Sequence, residues 1–127
     1  MANPLYGQIK ADGEIAKITD VSSYLQSYTA SAVVDSTVVR CIELNHASVV
    51  IAITGMSGVD YAGQIVIVKD TSASGTAAHT VTLAGGTWNG TNAIITLNAP
   101  AECIAVYFDS AGAGTILENV GSVALSG

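Results

Sequence analysis

The chain has 127 residues, of which half are hydrophobic, 4 are basic and 10 are acidic, so its formal net charge is −6. That length predicts a single domain. The four scattered cations do not form the clustered basic surface that nucleic-acid binding requires, so no DNA or RNA partner is expected. The longest strongly apolar run, residues 49–53, is far shorter than the roughly 20 residues of a spanning helix, so no membrane partner is expected.

Small and β-branched residues dominate the composition. Ala, Gly, Ser and Thr make up 56 of the 127 residues, and Val plus Ile number 26 against 7 Leu. This balance favours strands over helices. The core is expected to be thin, because small side chains each bury little area. A chain of this size gains by burying more surface on partner subunits, so the composition predicts an oligomer.

Residues 1–30 differ from the rest and are interpreted as an N-terminal arm. Apolar positions in residues 15–28 fit one face of a helix, whereas residues 21–24 fit a strand equally well, so the local structure is left open. The function of the arm is also open. It is either a frayed terminus or a segment that orders on a neighbouring protein, with Leu5 and Tyr6 as hydrophobic anchors. No apolar stretch resembles a signal peptide, so synthesis in the cytoplasm is expected.

From about residue 33 onward, short apolar segments alternate with turn residues. The predicted strands are 38–44, 48–54, 64–69, 79–84, 92–98, 102–108 and 115–119, with 122–125 as an eighth. This spacing predicts an all-β fold: a small antiparallel β-sandwich or barrel of about seven or eight strands, built from residues 31–127.

Two of these strands are apolar on both faces. Residues 80–83 alternate hydroxyl and hydrophobic side chains, as in a sheet with one wet side. Residues 49–53 and 65–68 do not alternate in this way. The outer face of such a strand is covered either by another subunit or by a loop of the same chain, and the scarcity of bulky loop residues favours the subunit.

The residues that carry catalysis or bind metal are sparse. The only histidines are His46, in a predicted turn, and His79, at a strand start, and no nucleophile motif accompanies them. Asp70 and Asp109 lie in Gly-rich loops, where capping of a turn is favoured over weak calcium binding. The sequence therefore predicts neither an enzyme nor a metal or cofactor site.

Three further residues have two interpretations each. Cys41 and Cys103 lie in apolar strands and are expected to be unpaired thiols, although a disulfide is geometrically feasible if their strands are neighbours. Trp88 is either a core residue or an exposed contact for a partner. The core is favoured, because Trp88 is the largest apolar side chain available to a thin core.

Four segments resemble a pattern frequent in small β-domains of bacteriophage virion proteins: GQIVIVKD at 63–70, HTVTL at 79–83, GTWNG at 86–90 and ITLN at 95–98. The opening MANPLYGQ, followed by KAD at 10–12, resembles the start of short phage structural proteins that decorate the head. Related fibre domains often end in an Asp-Gly-x-x-Trp strand, whereas this chain has DSAG at 109–112 and no late Trp. The resemblance is therefore closer to head decoration, or cement, proteins than to fibre tips.

This resemblance implies a structural virion protein made in the host cytoplasm. Proteins of this kind form trimers or similar assemblies on the capsid exterior, where they bridge subunits of the major capsid protein and stabilise the shell. The arm is then the expected capsid contact, through Asn3, Pro4, Leu5, Tyr6 and Ile9. The alternative function is a head- or tail-fibre module used in attachment.

Overall fold

The structure, a computed structural model, describes residues 24–127. In this range the chain forms two five-stranded sheets. The first sheet contains β1 (Leu25–Tyr28), β3 (Cys41–Leu44), β5 (Ile65–Asp70), β8 (Cys103–Phe108) and β9 (Gly114–Val120). The second contains β2 (Ala32–Val33), β4 (Ala52–Ser57), β6 (His79–Gly85), β7 (Ile94–Leu97) and β10 (Ala124–Ser126). A 3-10 turn, Gly58–Tyr61, follows β4. The all-β sandwich expected from the sequence is confirmed, and the sheets do not close into a barrel.

The two sheets have matching spatial strand orders. The match arises because the chain crosses from one sheet to the other after each of its first five strands. The strand orders are β9-β8-β5-β3-β1 and β10-β7-β6-β4-β2. The strands β1, β3 and β5 are mutually parallel, as are β2, β4 and β6, whereas β7 to β10 pair antiparallel with their neighbours. The sheets are therefore mixed and not antiparallel throughout. Parallel neighbours need a crossover connection, and here a strand of the opposite sheet supplies it.

The core lies between the sheets and is formed by alternate residues of each strand. Its members are apolar and nearly inaccessible to solvent, for example Val66 and Val68 of β5. Trp88 is completely buried and packs edge to face on Phe108, with 5.6 Å between ring centroids. Its Nε1 donates to the carbonyl oxygen of Val81 at 3.3 Å. The interpretation of Trp88 as a core residue is confirmed.

Three glycines from separate connections meet at one end of the sandwich. Gly58 begins the 3-10 turn, Gly86 follows β6, and Gly112 lies in the β8–β9 hairpin. Gly86 and Gly112 have φ values of +85° and +81°, and a Cβ on either Gly58 or Gly86 would collide with the carbonyl oxygen of Gly112. The connections therefore pack backbone to backbone, which only glycine permits.

The strand β1 falls within the segment that the sequence assigns to the arm. It is an edge strand of the first sheet and pairs in parallel with β3, so residues 25–28 are strand and not helix. The arm residues Asn3, Pro4, Leu5, Tyr6 and Ile9 lie outside the described range, and their role stays a prediction.

Candidate functional site

The outer side of the first sheet carries a continuous set of apolar side chains. Within each strand the alternate residues enter the core, so the intervening ones point outward. Ile65, Ile67 and Tyr107 remain 48%, 39% and 40% exposed. We call this surface the apolar face; its members are Leu25, Cys41, Ile65, Ile67, Cys103, Ala105, Tyr107 and Val120.

The strand register arranges these side chains in rows across the sheet. One row runs from Leu25 through Cys41 and Ile67 to Ala105, each residue directly opposite the next. A second pairs Ile65 with Tyr107. Side chains opposite each other on one face lie about 5 Å apart. The apolar face is therefore contiguous, which distinguishes it from the single exposed hydrophobic residues of an ordinary surface.

One acid and one base lie together at the end of the apolar face. Glu43 of β3 is directly opposite Lys69 of β5, and Ser27 of β1 is on the other side of Glu43. The hydroxyl of Ser27 donates to Oε1 of Glu43 at 2.5 Å. These are the only charged side chains that point outward from β1, β3, β5 and β8, so these four strands contribute no net charge to the surface. On the edge strand β9, Glu118 lies opposite Ala105 and adds one negative charge at the margin of the face.

The outer side of the second sheet has a different character. The outward residues of its central row are small or hydroxyl-bearing, and they run from Ala52 through Thr80 and Thr96 to Ala124. In the next row Thr82 lies opposite Ile94, which is half-buried, and the edge strand β2 carries the exposed Val33. We call this the hydroxyl face. Threonine side chains interact readily with water, so the hydroxyl face needs no covering, whereas the apolar face gains free energy when covered.

Both cysteines belong to the apolar face, and both are free thiols and half-buried. Their strands are not neighbours, because β5 lies between β3 and β8. Burial, followed by the nearby charge of Glu43, raises the pKa of the Cys41 thiol. A raised pKa lowers the fraction of reactive thiolate and so slows the reaction of this thiol at neutral pH without abolishing it. The expectation of unpaired cysteines is confirmed.

The histidines are used inside the fold. His79 is completely buried; its Nδ1 accepts from the backbone N–H of Ile51 at 3.0 Å, and its Nε2 donates to the carbonyl oxygen of His46 at 2.9 Å. The Nδ1 of His46 accepts from the backbone N–H groups of Ser48 and Val49. These contacts fix the ends of strands and connections, which is a structural role.

The two aspartates considered for calcium act as turn caps. The Oδ1 atom of Asp70 accepts from the N–H of Ser72 at 2.9 Å, and that of Asp109 accepts from the N–H of Ala111 at 2.9 Å. Both therefore stabilise the connection that follows their strand, as capping predicts. Within residues 24–127, no three His, Cys, Asp or Glu side chains are grouped so that they could hold a metal ion.

Glu102 is a buried carboxyl group near Asp70. It is 4% exposed, and its Oε1 finds no hydrogen-bond partner among residues 24–127. Burial raises the pKa of Glu102, and the charge of Asp70 raises it further, while the backbone N–H groups of Asn98 and Ala99 oppose the shift. Its carboxylate is thus held in an unfavourable environment at neutral pH.

Of the two runs that the sequence shows as apolar on both sides, only one contributes to the apolar face. Residues 65–68 contribute Ile65 and Ile67 to it, whereas in residues 49–53 the exposed Val49 and Val50 lie before β4. The sequence reasoning missed the contributions of β1 and β8. One feature of the sequence could have indicated the contribution of β8: its outward residues, Cys103, Ala105 and Tyr107, are all uncharged.

Comparison of the chain with protein-family models, curated proteins and solved structures gives no match. No helix with the length and apolar character of a membrane span occurs in residues 24–127.

Proposed function

We propose that this protein is a structural virion protein that decorates the outside of a bacteriophage capsid as a homo-oligomer and stabilises the shell. The phage context rests on the resemblance of the segments at 63–70, 79–83, 86–90 and 95–98 and of the N-terminus. The observation that carries a role in assembly is the apolar face, because a contiguous apolar surface of this kind is typical of a protein interface.

The internal use of the polar residues supports assembly over catalysis. His46, His79 and Asp70 are each engaged in hydrogen bonds that hold connections in place. A catalytic site needs a base and a nucleophile presented together to a substrate. These side chains are committed to the fold, which favours a scaffold that presents surfaces to partners.

Decoration would stabilise the capsid through binding alone. A protein that binds the expanded lattice, and not its precursor, lowers the free energy of the expanded state by mass action. At a free concentration 100 times the dissociation constant, each site contributes about 2.7 kcal/mol. The binding free energies of all copies add over the shell. Binding alone therefore stabilises the capsid, and no chemical step is required.

In this proposal the major capsid protein is bound by residues 1–30, with Leu5 and Tyr6 as the main anchors. Within this segment, residues 25–28 form β1, which is an edge strand of the first sheet. The arm therefore joins the domain beside the apolar face, which Leu25 of β1 extends to that edge. A single side of the molecule would then serve both contacts.

The test adds purified protein to undecorated expanded heads. We expect the intact chain to bind saturably and a chain lacking residues 2–10 not to bind, while both give the same β-rich circular dichroism, because the described strands begin at Leu25. Buried anchors each contribute about 2 kcal/mol or more, so Leu5→Ser with Tyr6→Ser should weaken binding strongly. Gln8→Ala with Lys10→Ala is the matched control and should leave binding nearly unchanged.

Two results would contradict the proposal in different ways. Equal binding by the truncated chain would move the capsid contact onto the β-domain. Absence of binding by the intact chain would reject decoration and favour the alternative function, a head- or tail-fibre module whose terminus attaches to another component of the particle.

A further inference from the structure

We propose that the apolar face packs against the same face of another copy of this chain, and that Glu43 of one copy pairs with Lys69 of the other. The proposal specifies the contact within the homo-oligomer of the proposed function. It does not require the capsid as partner, so it stands or falls on the isolated protein.

The first argument is the difference between the two outer surfaces. The apolar face exposes Ile65, Ile67 and Tyr107 to between 39% and 48%, whereas the corresponding strands of the second sheet present Thr80, Thr82, Thr96 and one half-buried hydrophobic residue, Ile94. Both surfaces belong to one sandwich and surround one core. Only the first sheet carries outward hydrophobic side chains in successive rows, so it is the one built to be covered.

The second argument is complementarity in size. The contact can be built with a two-fold axis that runs parallel to the strands, midway between the facing sheets and above the gap between β3 and β5. This axis places β3 of one copy against β5 of the other, and β1 against β8. Leu25 then faces Ala105, and Cys41 faces Ile67, because these four residues share one row. Each contact joins a large side chain to a smaller one, as two interdigitating sheets about 10 Å apart require.

The third argument is complementarity in charge. The chain carries a net charge of −6, so two copies repel each other unless the surfaces in contact are locally neutral. The same axis places Glu43 of one copy over Lys69 of the next, because these residues share the adjacent row. The outward residues of β1, β3, β5 and β8 include one acid and one base, and the axis pairs the two; Glu118 of β9 lies beyond Ala105, outside the four strands that the axis brings together.

Sedimentation equilibrium of three charge variants tests the pairing. We expect Glu43→Lys and Lys69→Glu each to weaken self-association by at least about tenfold, because each brings like charges together between copies. An equimolar mixture of the two variants should associate, since every acid then faces a base. The double variant with both substitutions should associate like the wild type. Thermal unfolding of each variant verifies that the sandwich remains folded.

The alkylation rate of the native Cys41 thiol provides a second measurement. Cys41 lies inside the apolar face, so its alkylation should be at least about tenfold slower at concentrations where the oligomer forms than after dilution to the monomer. The control is Thr80→Cys on the hydroxyl face. Thr80 is half-buried like Cys41, and its replacement should react at the same rate in both conditions.

Three results would overturn the proposal. A wild-type chain that stays monomeric at concentrations up to the millimolar range would show that no copy covers this face. An oligomer whose Cys41 reacts as fast as the monomer would place the contact elsewhere. Single charge variants that associate as tightly as the wild type, or a mixture that fails to recover, would reject the contact between Glu43 and Lys69.

Discussion

Cys41 and Cys103 lie on the same outer face of the first sheet, yet β5 separates their strands, and they occupy different rows. Cys41 is opposite Ile67, whereas Cys103 is opposite Lys69. Neighbouring strands are about 4.8 Å apart, so the Cα atoms of the two cysteines are separated by about 10 Å or more, beyond the about 7 Å that a disulfide spans. The fold itself keeps the two thiols apart.

The first prediction follows from this separation. Thiol titration of the denatured native protein, carried out without reductant, should count two free thiols per chain. Oxidation should not produce an internal cross-link without unfolding, because the intervening strand would have to leave the sheet. A count of zero would mean that the strand order of the first sheet is incorrect.

The second prediction concerns the contact between glycines. Gly86 and Gly90 have nearly the same φ, +85° and +86°, but a Cβ on Gly86 would meet the carbonyl oxygen of Gly112, whereas one on Gly90 would meet nothing within 4 Å. Gly90→Ala should therefore cost only the backbone strain, about 1 to 2 kcal/mol. Gly86→Ala should cost about 3 kcal/mol or more, because overpacking adds to that strain.

Urea unfolding of the two alanine variants measures this difference directly. Both substitutions add the same methyl group at nearly the same φ, so the gap between their free energies of unfolding reports mainly the collision with the carbonyl oxygen of Gly112. Equal destabilisation would indicate that the three connections do not pack as closely as the structure shows.

The third prediction concerns the pH dependence of stability. Because the folded state raises the pKa of Glu102 above its ordinary 4.5, it holds more protons than the unfolded state above that pH. The contribution of Glu102 to the free energy of unfolding therefore falls as the pH rises from 4.5 through the raised pKa. Glu102→Gln should remove this contribution and make stability less dependent on pH in that window.

Urea unfolding between pH 4.5 and 7 compares the Glu102→Gln variant with the wild type. Glu118→Gln serves as the control, because Glu118 is an exposed glutamate on the edge strand β9. The control should follow the wild-type curve. If Glu102→Gln also follows it, the carboxyl group of Glu102 is better solvated than its burial indicates.

Much of the strand content could be predicted from the sequence, because periodicity and turn residues are local properties. The predicted strands at 64–69, 79–84 and 102–108 correspond to β5, β6 and β8 within one or two residues. The capping roles of Asp70 and Asp109 were also accessible, since an aspartate followed by small residues favours a turn. The burial of Trp88 was accessible as well, because the core contains few other large side chains.

The pairing of the strands could not be predicted in the same way. Nothing in the local pattern of residues 41–44 indicates that β3 pairs in parallel with both β1 and β5, because partner and direction depend on distant parts of the chain. The two-residue strand β2 is too short to give any alternation. The apolar face was therefore only partly visible from the sequence, since its rows combine residues from five separate strands.

Electron-microscopy reconstruction of expanded heads, with and without added intact protein, tests the central claim most directly. The account predicts additional density on the outer surface at every equivalent lattice site, with copies of the sandwich in mutual contact through their apolar faces. Heads that are identical with and without saturating protein would contradict a role in capsid decoration.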